Sequence, residues 1–141
     1  MNNNNILSTS NLSIGYQSKK EKTVIAQNLN LNFQLGKLIS LVGANGMGKS
    51  TLLRTLAGIQ KPLSGSVLLN DKDIQSFESL ELAQNLSLVL TEKLPTSNLT
   101  VFELIALGRQ PYTNWIGKLN EEDLEKINYA IQLTQIENLI H

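Results

Sequence analysis

The sequence is organised around the stretch Gly43-Ala44-Asn45-Gly46-Met47-Gly48-Lys49-Ser50. It matches the phosphate-binding loop pattern, which has Gly at the first position, four variable residues and then Gly-Lys-Ser or Gly-Lys-Thr. Residues 38–42 before it are almost all apolar, as in a parallel strand that is covered on both faces. Residues 50–57 after it place leucines on one helical stripe. The sequence therefore predicts a buried strand, a phosphate loop and a helix, in that order.

The residue types in this loop suit the binding of phosphate groups. Its three glycines let successive backbone N–H groups turn inward against the positive end of the following helix. Lys49 supplies a flexible positive charge for β- and γ-phosphates, Ser50 offers a hydroxyl to Mg²⁺, and Thr51 offers a donor to an α-phosphate. The alternative interpretation is a glycine-rich turn between strand and helix with its lysine in solvent.

Composition excludes several other kinds of chemistry. The chain has 141 residues, of which twelve are basic and twelve acidic, so it lacks the positive charge of a dedicated nucleic-acid-binding protein. It has no Cys, and its one His is the last residue, His141, which leaves no disulfide, cysteine nucleophile or histidine triad. No apolar run approaches the length of a membrane span, and the N-terminus is neither basic nor apolar. We therefore expect a soluble, cytoplasmic chain.

Periodicity predicts the elements around the loop. Residues 1–5 are expected to form a disordered polar tail, and residues 28–33 alternate strictly, which predicts one half-solvated strand. Residues 67–69 are expected to form a strand that is followed by a turn at 70–73, then a short helix at 78–85 and a buried strand at 86–90.

The last third of the sequence is helical in pattern. Thr100 and Glu103 have the spacing of a capping box and predict a helix that ends at Gly108. Asn120 heads a second helix with an acidic first turn. The apolar side expected for that helix consists of Leu124, Ile127 and Ile131.

The residues from Asn45 to Leu53, followed by Leu56-Ala57-Gly58 and by the segment 62–67, resemble the nucleotide-binding subunit of an ATP-binding cassette (ABC) transporter. The resemblance extends from Leu12 to Ile140. It implies an α/β fold of the P-loop NTPase (ABC ATPase) class, of which this chain would be the N-terminal part. The expected parts are an antiparallel β subdomain with the start of the parallel-sheet core at 6–92, and the first helices of the helical subdomain at 93–141.

The family resemblance also implies ligands and the residues that bind them. Members bind ATP with Mg²⁺, and an aromatic residue before the first long strand stacks on adenine; Tyr16 occupies that place. Where the family has a glutamine that touches Mg²⁺, this sequence has Thr91, with Glu92 beside it, so Thr91 and Ser50 are the candidate metal ligands. The expected nucleotide-binding residues are Tyr16, Gly43, Ala44, Asn45, Gly46, Met47, Gly48, Lys49, Ser50 and Thr51.

A second segment indicates a transport class. Gly108-Arg109-Gln110-Pro111-Tyr112 is similar to the Gly-Arg-x-Pro-His/Tyr segment of the subgroup that energises import of ferric siderophores, haem and vitamin B12. The same residues also fit a helix C-terminus with a cationic last turn and a proline stop.

Several motifs of the family are missing from these 141 residues. They are the apolar run that ends in a Mg²⁺-binding aspartate, the glutamate after it, the Leu-Ser-Gly-Gly-Gln signature and the later switch histidine. The segments 67–71 and 63–65 imitate two of these motifs, but both fit turns better, and His141 stands too early for the switch. The sequence is therefore interpreted as a domain cut before its signature, with an exposed apolar sheet edge and weak phosphate binding on its own.

The function implied by the resemblance is that of a transport ATPase. The full protein would form a homodimer around two Mg-ATP molecules and drive a permease for iron complexes or cobalamin on the cytoplasmic face of the inner membrane, with a substrate-binding protein as an indirect partner and no nucleic acid. Three alternatives stay open: a nucleotide-binding module that does not hydrolyse, an ABC ATPase of another transport class, and a different phosphate-loop enzyme such as a GTPase or a small-molecule kinase.

Overall fold

In the computed structural model, the described residues are 5–89 and 99–140. The chain divides into two compact units, residues 1–82 and 83–141. The first, the sheet unit, holds an antiparallel sheet, the glycine-rich loop and a two-turn helix. The second, the helical unit, holds helices and 3₁₀ turns.

One long strand organises the sheet unit. The strands are β1 (Asn5–Gln17), β2 (Lys22–Leu29), β3 (Asn32–Gln34), β4 (Ser64–Leu69) and β5 (Lys72–Asp73). They lie in the order β2-β1-β4-β5, with β3 also paired to β1, and every pairing is antiparallel. β1 thus forms ladders with three strands, and its first residue, Asn5, had been expected to belong to the polar tail.

The core of the sheet unit lies where β1 and β4 run side by side. Leu12 and Ile14 of β1 and Val67 and Leu69 of β4 are buried at alternate positions, so they occupy one face of each strand. The remaining buried apolar side chains of this unit are Leu56 and Ala57 at the end of the helix and Ile74 in the 3₁₀ turn after β5. Thr9 of β1 pairs with Val67 of β4, so this core joins two segments that are far apart in sequence.

The turn predicted after residues 67–69 is present and closes a hairpin between β4 and β5. Asn70 and Asp71 have φ angles of 50° and 63°, which is the pattern of a type I′ turn. β4 and β5 pair across this turn through Leu68 and Asp73. The segment 67–71 is therefore a hairpin and not a metal-binding aspartate motif.

The helices are α1 (Lys49–Leu56), α2 (Ser79–Asn85), α3 (Val101–Ala106) and α4 (Glu121–Thr134), with 3₁₀ turns at Ile74–Ser76, Leu107–Tyr112 and Glu137–Leu139. The capping box predicted at Thr100 is present, and Asn120, predicted to head the second helix, forms a capping box with Asp123. Ile127 and Ile131 are buried as predicted, whereas Leu124 is 40% exposed. The α-helix after Thr100 ends at Ala106, and Gly108 lies inside the following 3₁₀ turn.

The strand predicted at residues 28–33 is interrupted. β2 ends at Leu29 and β3 begins at Asn32, and Asn28 has a φ angle of 56°, which an extended strand does not allow. The side chain of Thr9 on β1 bridges the break, because its hydroxyl donates to the carbonyl of Leu29 and accepts the N–H of Leu31, both at 2.9 Å. The alternation of exposed asparagines with half-buried apolar residues is nevertheless as predicted.

The two strands predicted from continuous apolar runs are not formed. Residues 38–42 are irregular, and Leu38 is 99% exposed. Residues 86–89 are irregular too, with Val89 almost fully exposed, and residue 90 lies outside the described part. No strand in the described ranges pairs with either run, and an apolar run becomes a parallel strand only where neighbouring strands accept its backbone hydrogen bonds. The prediction of a parallel-sheet start at these residues was therefore wrong for this structure.

Among the described residues, none of the helices has both the length and the apolar character needed to cross a bilayer. The longest, α4, has 14 residues and an acidic first turn.

Candidate functional site

The glycine-rich loop leads directly into α1, as the sequence predicts. Gly48 is the N-cap of α1, with φ 89° and ψ 12°, a left-handed conformation that glycine adopts without strain. Its carbonyl accepts the N–H of Leu52 at 2.9 Å and so starts the helical ladder. A Cβ at this position would overlap the side chain of Ile25 on β2. Glycine is therefore required at residue 48 by both backbone conformation and space.

The lysine of the loop bends back over the residues that precede it. Lys49 Nζ donates to the carbonyl of Gly43 at 2.7 Å and to the carbonyl of Ala44 at 2.8 Å. An ammonium group has three N–H donors, so two of them hold the loop closed and one is left for an anion. The positive charge is thus fixed at the mouth of the loop rather than extended into solvent, which argues against a solvent-facing lysine.

A cavity of about 350 Å³ opens at this place. Its lining consists of Tyr16, Ile25, Asn45, Gly46, Gly48, Lys49, Ser50 and Thr51. The Tyr16 side chain is 52% exposed, and its phenolic oxygen lies 2.9 Å from Thr51 Oγ1. An aromatic ring, a cation and several hydroxyl groups therefore face one space.

The chemistry of this lining fits an anion with a flat ring attached. None of the lining residues is a carboxylate, so no like charge opposes phosphate groups. The first N–H groups of α1 have no partner within the helix and carry its positive dipole end. The described residues hold no cluster of three His, Cys, Asp or Glu side chains that could bind a metal alone. Mg²⁺ fits here as an ion shared between the Ser50 hydroxyl and phosphate oxygens, the usual way in which it is held.

Most of the sequence-predicted binding residues are brought together. Tyr16, Lys49, Ser50 and Thr51 line one cavity although Tyr16 is 35 residues from Thr51 along the chain. Asn45, Gly46 and Gly48 line the same cavity. The other three predicted residues do not: Gly43 and Ala44 accept hydrogen bonds from Lys49 through their carbonyls, and Met47 is 69% exposed. Thr91 and its neighbour Glu92 lie outside the described residues.

Two further residues near the site were not predicted. Ile25 lines the cavity and packs on Gly48, and Gln60 Nε2 donates to the carbonyl of Gly15, next to Tyr16, at 2.6 Å. Neither carries a motif signal, because an isoleucine in a strand and a glutamine after a helix are common everywhere.

The segment 108–112 has a structural role within the helical unit. Arg109 Nε donates to Asp123 Oδ1 at 2.9 Å, and its guanidinium lies 4.1 Å from the centre of the Tyr112 ring. Asp123 is 1% exposed and also accepts the N–H of Asn120. That backbone hydrogen bond holds the pKa of Asp123 below its usual value, and Arg109 lowers the pKa further, against the effect of burial. The segment therefore ties its 3₁₀ turn to the start of α4.

A larger cavity, of about 610 Å³, lies in the helical unit between residues 112 and 124. Its polar lining is mainly amide and hydroxyl groups, with Lys118 and Glu121 supplying charges of opposite sign. Unlike the smaller cavity, it is lined by a carboxylate, Glu121, which would repel phosphate groups, and the start of α4 is closed by its own capping box. Size alone therefore does not make it the functional site.

Comparison with known proteins finds one matching family and several similar proteins. Residues 26–140 match the family described as ABC transporter. The iron(3+)-hydroxamate import ATP-binding protein FhuC of Bacillus subtilis is 38% identical over 130 residues, which are 92% of this chain and 47% of the relative. The ferric enterobactin transport ATP-binding protein FepC of Escherichia coli is 36% identical over 128 residues, 91% of this chain and 46% of the relative. The chain thus spans about half the length of the curated relatives it matches.

A solved structure shows the same fold. The chain is similar to cbiO1 of Clostridium perfringens, a part of the ABC transporter complex cbiONQ, with a TM-score of 0.72 and 29% identity. The similarity covers 97% of this chain and 53% of the other.

Proposed function

Since the chain belongs to the ABC transporter family, we propose that it is the part of a transport ATPase that binds the nucleotide, with ATP and Mg²⁺ held in the cavity at the start of α1. The observation that carries this proposal is the position of Lys49 at the start of α1, where its ammonium is held against the loop carbonyls and shares one cavity with the exposed ring of Tyr16.

Each part of the cavity suits one part of the nucleotide. The loop amides and Lys49 would bind the triphosphate, and the Tyr16 ring would stack on the base, which requires only a flat π surface. Thr51 would donate to the α-phosphate. Mg²⁺, when bound, neutralises phosphate charge, and the Ser50 hydroxyl is the residue in the described part that would hold it. A role for Thr91 as a second metal contact stays a prediction from the sequence.

Hydrolysis is proposed for the whole subunit rather than for these 141 residues alone. The cavity lining contains no carboxylate that could orient a water molecule, and the relatives are about twice as long as the matched span. We propose that this chain supplies the phosphate-binding part of the ATPase. A second copy of the subunit, permease subunits at the cytoplasmic face of the membrane and, indirectly, a substrate-binding protein are its proposed partners.

The proposed cargo is an iron complex. Two relatives named above import ferric hydroxamate and ferric enterobactin by their names, and the segment 108–112 has the pattern of that importer subgroup. Cobalamin and haem are the other cargoes that this pattern allows. The alternative function, a nucleotide-binding module without hydrolysis, is favoured by the carboxylate-free lining; it predicts ATP binding without phosphate release from the complete protein.

Calorimetric titration with Mg-ATP tests the binding site. Lys49→Ala should weaken binding more than tenfold, because the triphosphate loses its main cation and charge-assisted hydrogen bonds contribute about 1.5–3 kcal/mol. Lys61→Ala is the matched control, since Lys61 is an exposed lysine outside the cavity lining, and it should bind like the parent chain. Equal affinity of the Lys49→Ala variant and the parent chain would refute the proposed site.

A further inference from the structure

Tyr16 lies in an unusual position for a residue that must present a flat surface. It is the second-last residue of β1, and about half of its side chain is exposed. An aromatic ring at a strand end has several rotamers open to it unless something holds it. A stacking surface is useful only if the ring is fixed before the ligand arrives, because ordering it later costs binding free energy.

The backbone of Tyr16 is fixed from two sides. Tyr16 pairs with Thr23 across β1 and β2, and the Gly15 carbonyl accepts a hydrogen bond from Gln60 Nε2 at 2.6 Å. The Gly15 position has no room for a side chain, since a Cβ there would overlap the carbonyl oxygen of Thr23. These contacts hold the backbone but leave the ring free to rotate about its own bonds.

The ring itself is held by Thr51. The phenolic oxygen of Tyr16 lies 2.9 Å from Thr51 Oγ1. Thr51 is only 4% exposed and lies on the buried side of α1, where its carbonyl also accepts the hydroxyl of Thr55 at 2.8 Å. The partner of the exposed ring is therefore a buried side chain in the same helical turn as Lys49.

We propose that Thr51 is a positioning residue for base recognition, which holds the Tyr16 ring in place as the stacking surface and so links that surface to the turn of α1 that binds phosphate. This inference rests on the proposed function. It adds to the role expected from the sequence, in which Thr51 acts only as a donor to the α-phosphate.

The hydrogen bond allows the two roles of Thr51 to be separated. If the phenol donates, the Thr51 hydrogen stays available for a phosphate; if Thr51 donates, its one hydrogen is used. Tripolyphosphate has no base, so it reports on phosphate contacts alone, whereas ATP reports on both. Loss of the hydrogen bond between Tyr16 and Thr51 should therefore weaken the binding of ATP and leave the affinity for tripolyphosphate unchanged.

The experiment titrates the full 141-residue chain with Mg-ATP and with tripolyphosphate by calorimetry. Thr51→Val removes the hydroxyl with little change of shape, Tyr16→Phe removes the other half of the bond, and Thr51→Ser keeps it. We expect Tyr16→Phe to weaken ATP binding by about two- to tenfold, the effect of one hydrogen bond, and to leave the affinity for tripolyphosphate unchanged. Thr51→Val should weaken ATP binding by more than it weakens tripolyphosphate binding, because it removes the bond to Tyr16 as well as a phosphate donor. Thr51→Ser should bind both ligands like the parent. The double variant should bind ATP no more weakly than Thr51→Val alone, since both changes remove the same bond.

Other outcomes overturn the proposal. Equal loss of ATP and tripolyphosphate in Thr51→Val would make Thr51 a phosphate donor only, and unchanged ATP affinity in Tyr16→Phe would show that the bond has no role. If Thr51→Val does not fold, as judged by circular dichroism, the comparison of Tyr16→Phe with the parent decides alone. Lys49→Ala separates this inference from the proposed function, because it should weaken the binding of both ATP and tripolyphosphate. If it weakens the binding of neither ligand, the proposed function fails.

Discussion

Leu12 and Leu38 are the same residue type in two segments of the sheet unit, and they have opposite environments. Leu12 on β1 is 0% exposed, whereas Leu38 is 99% exposed in an irregular segment. β1 has antiparallel partners that follow within the same unit, while no described strand pairs with residues 38–42. Hydrophobicity alone therefore does not make a strand; a backbone partner within reach decides it.

The largest expected effect tests this contrast directly. Leu12→Ala should lower the free energy of unfolding by about 2–5 kcal/mol, because it leaves a cavity in the packed core. Leu38→Ala should change it by less than about 0.5 kcal/mol, as for other surface substitutions. Urea denaturation of both variants measures the difference, and equal losses would mean that residues 38–42 are buried in solution.

Two glycines extend the same comparison to backbone packing. At Gly15 a methyl group would overlap the backbone oxygen of Thr23 and lie 2.8 Å from Leu63, so Gly15→Ala should destabilise the chain by about 1–3 kcal/mol. Gly36, just before the irregular segment, has φ 70° and no atom near its missing Cβ. Gly36→Ala should cost only the conformational strain, on the order of 1 kcal/mol. A larger loss at Gly36, read from thermal unfolding, would contradict this ranking.

In the helical unit one motif, the capping box, occurs once in a buried and once in an exposed environment. Asp123 closes a buried capping box and pairs with Arg109, while Glu103 closes an exposed one. Hydrogen bonds from Asn120 and from Thr100 lower the pKa of Asp123 and of Glu103 respectively. Asp123→Asn should therefore lower the melting temperature more than Glu103→Gln.

The pH dependence of these caps follows from the direction of the shifts. A carboxyl group whose pKa is lowered in the folded chain stabilises it fully above the unfolded value, which is 3.8 for Asp123. The contribution is lost as the pH falls through the lower folded value. The melting temperature followed by helical circular dichroism should therefore be lower at pH 3 than at pH 6. Asp123→Asn should reduce that difference. An unchanged pH difference in the variant would exclude Asp123 as its source.

The sequence was sufficient for features whose signals are local. The capping box at Thr100, the helix start at Asn120, the turn at residues 70–73 and the entry of the glycine-rich loop into α1 are decided within a few residues. The matched family and the similar solved structure confirm the predicted P-loop NTPase class. Residues 38–42 were predicted wrongly because their environment depends on partners that periodicity does not reveal.

The residues of the candidate site also divide into those that the sequence identifies and those that only the structure shows. The loop residues and Tyr16 were identified from the motif and the family resemblance, and the structure brings Tyr16 to the loop. Ile25 and Gln60 could not be found, since each acts on a glycine more than 20 residues away, at Gly48 and Gly15. Contacts of this kind depend on tertiary packing, so they need the three-dimensional structure.

The central claim is that ATP binds at the start of α1 through Lys49. Hydrogen exchange of the full chain, with and without Mg-ATP, tests it most directly because it locates the protected amides. We predict slower exchange in a peptide that covers residues 43–51, no change in α4, and loss of the protection in Lys49→Ala. Unchanged exchange at residues 43–51 in the parent chain, or equal protection in the Lys49→Ala variant, would contradict the claim.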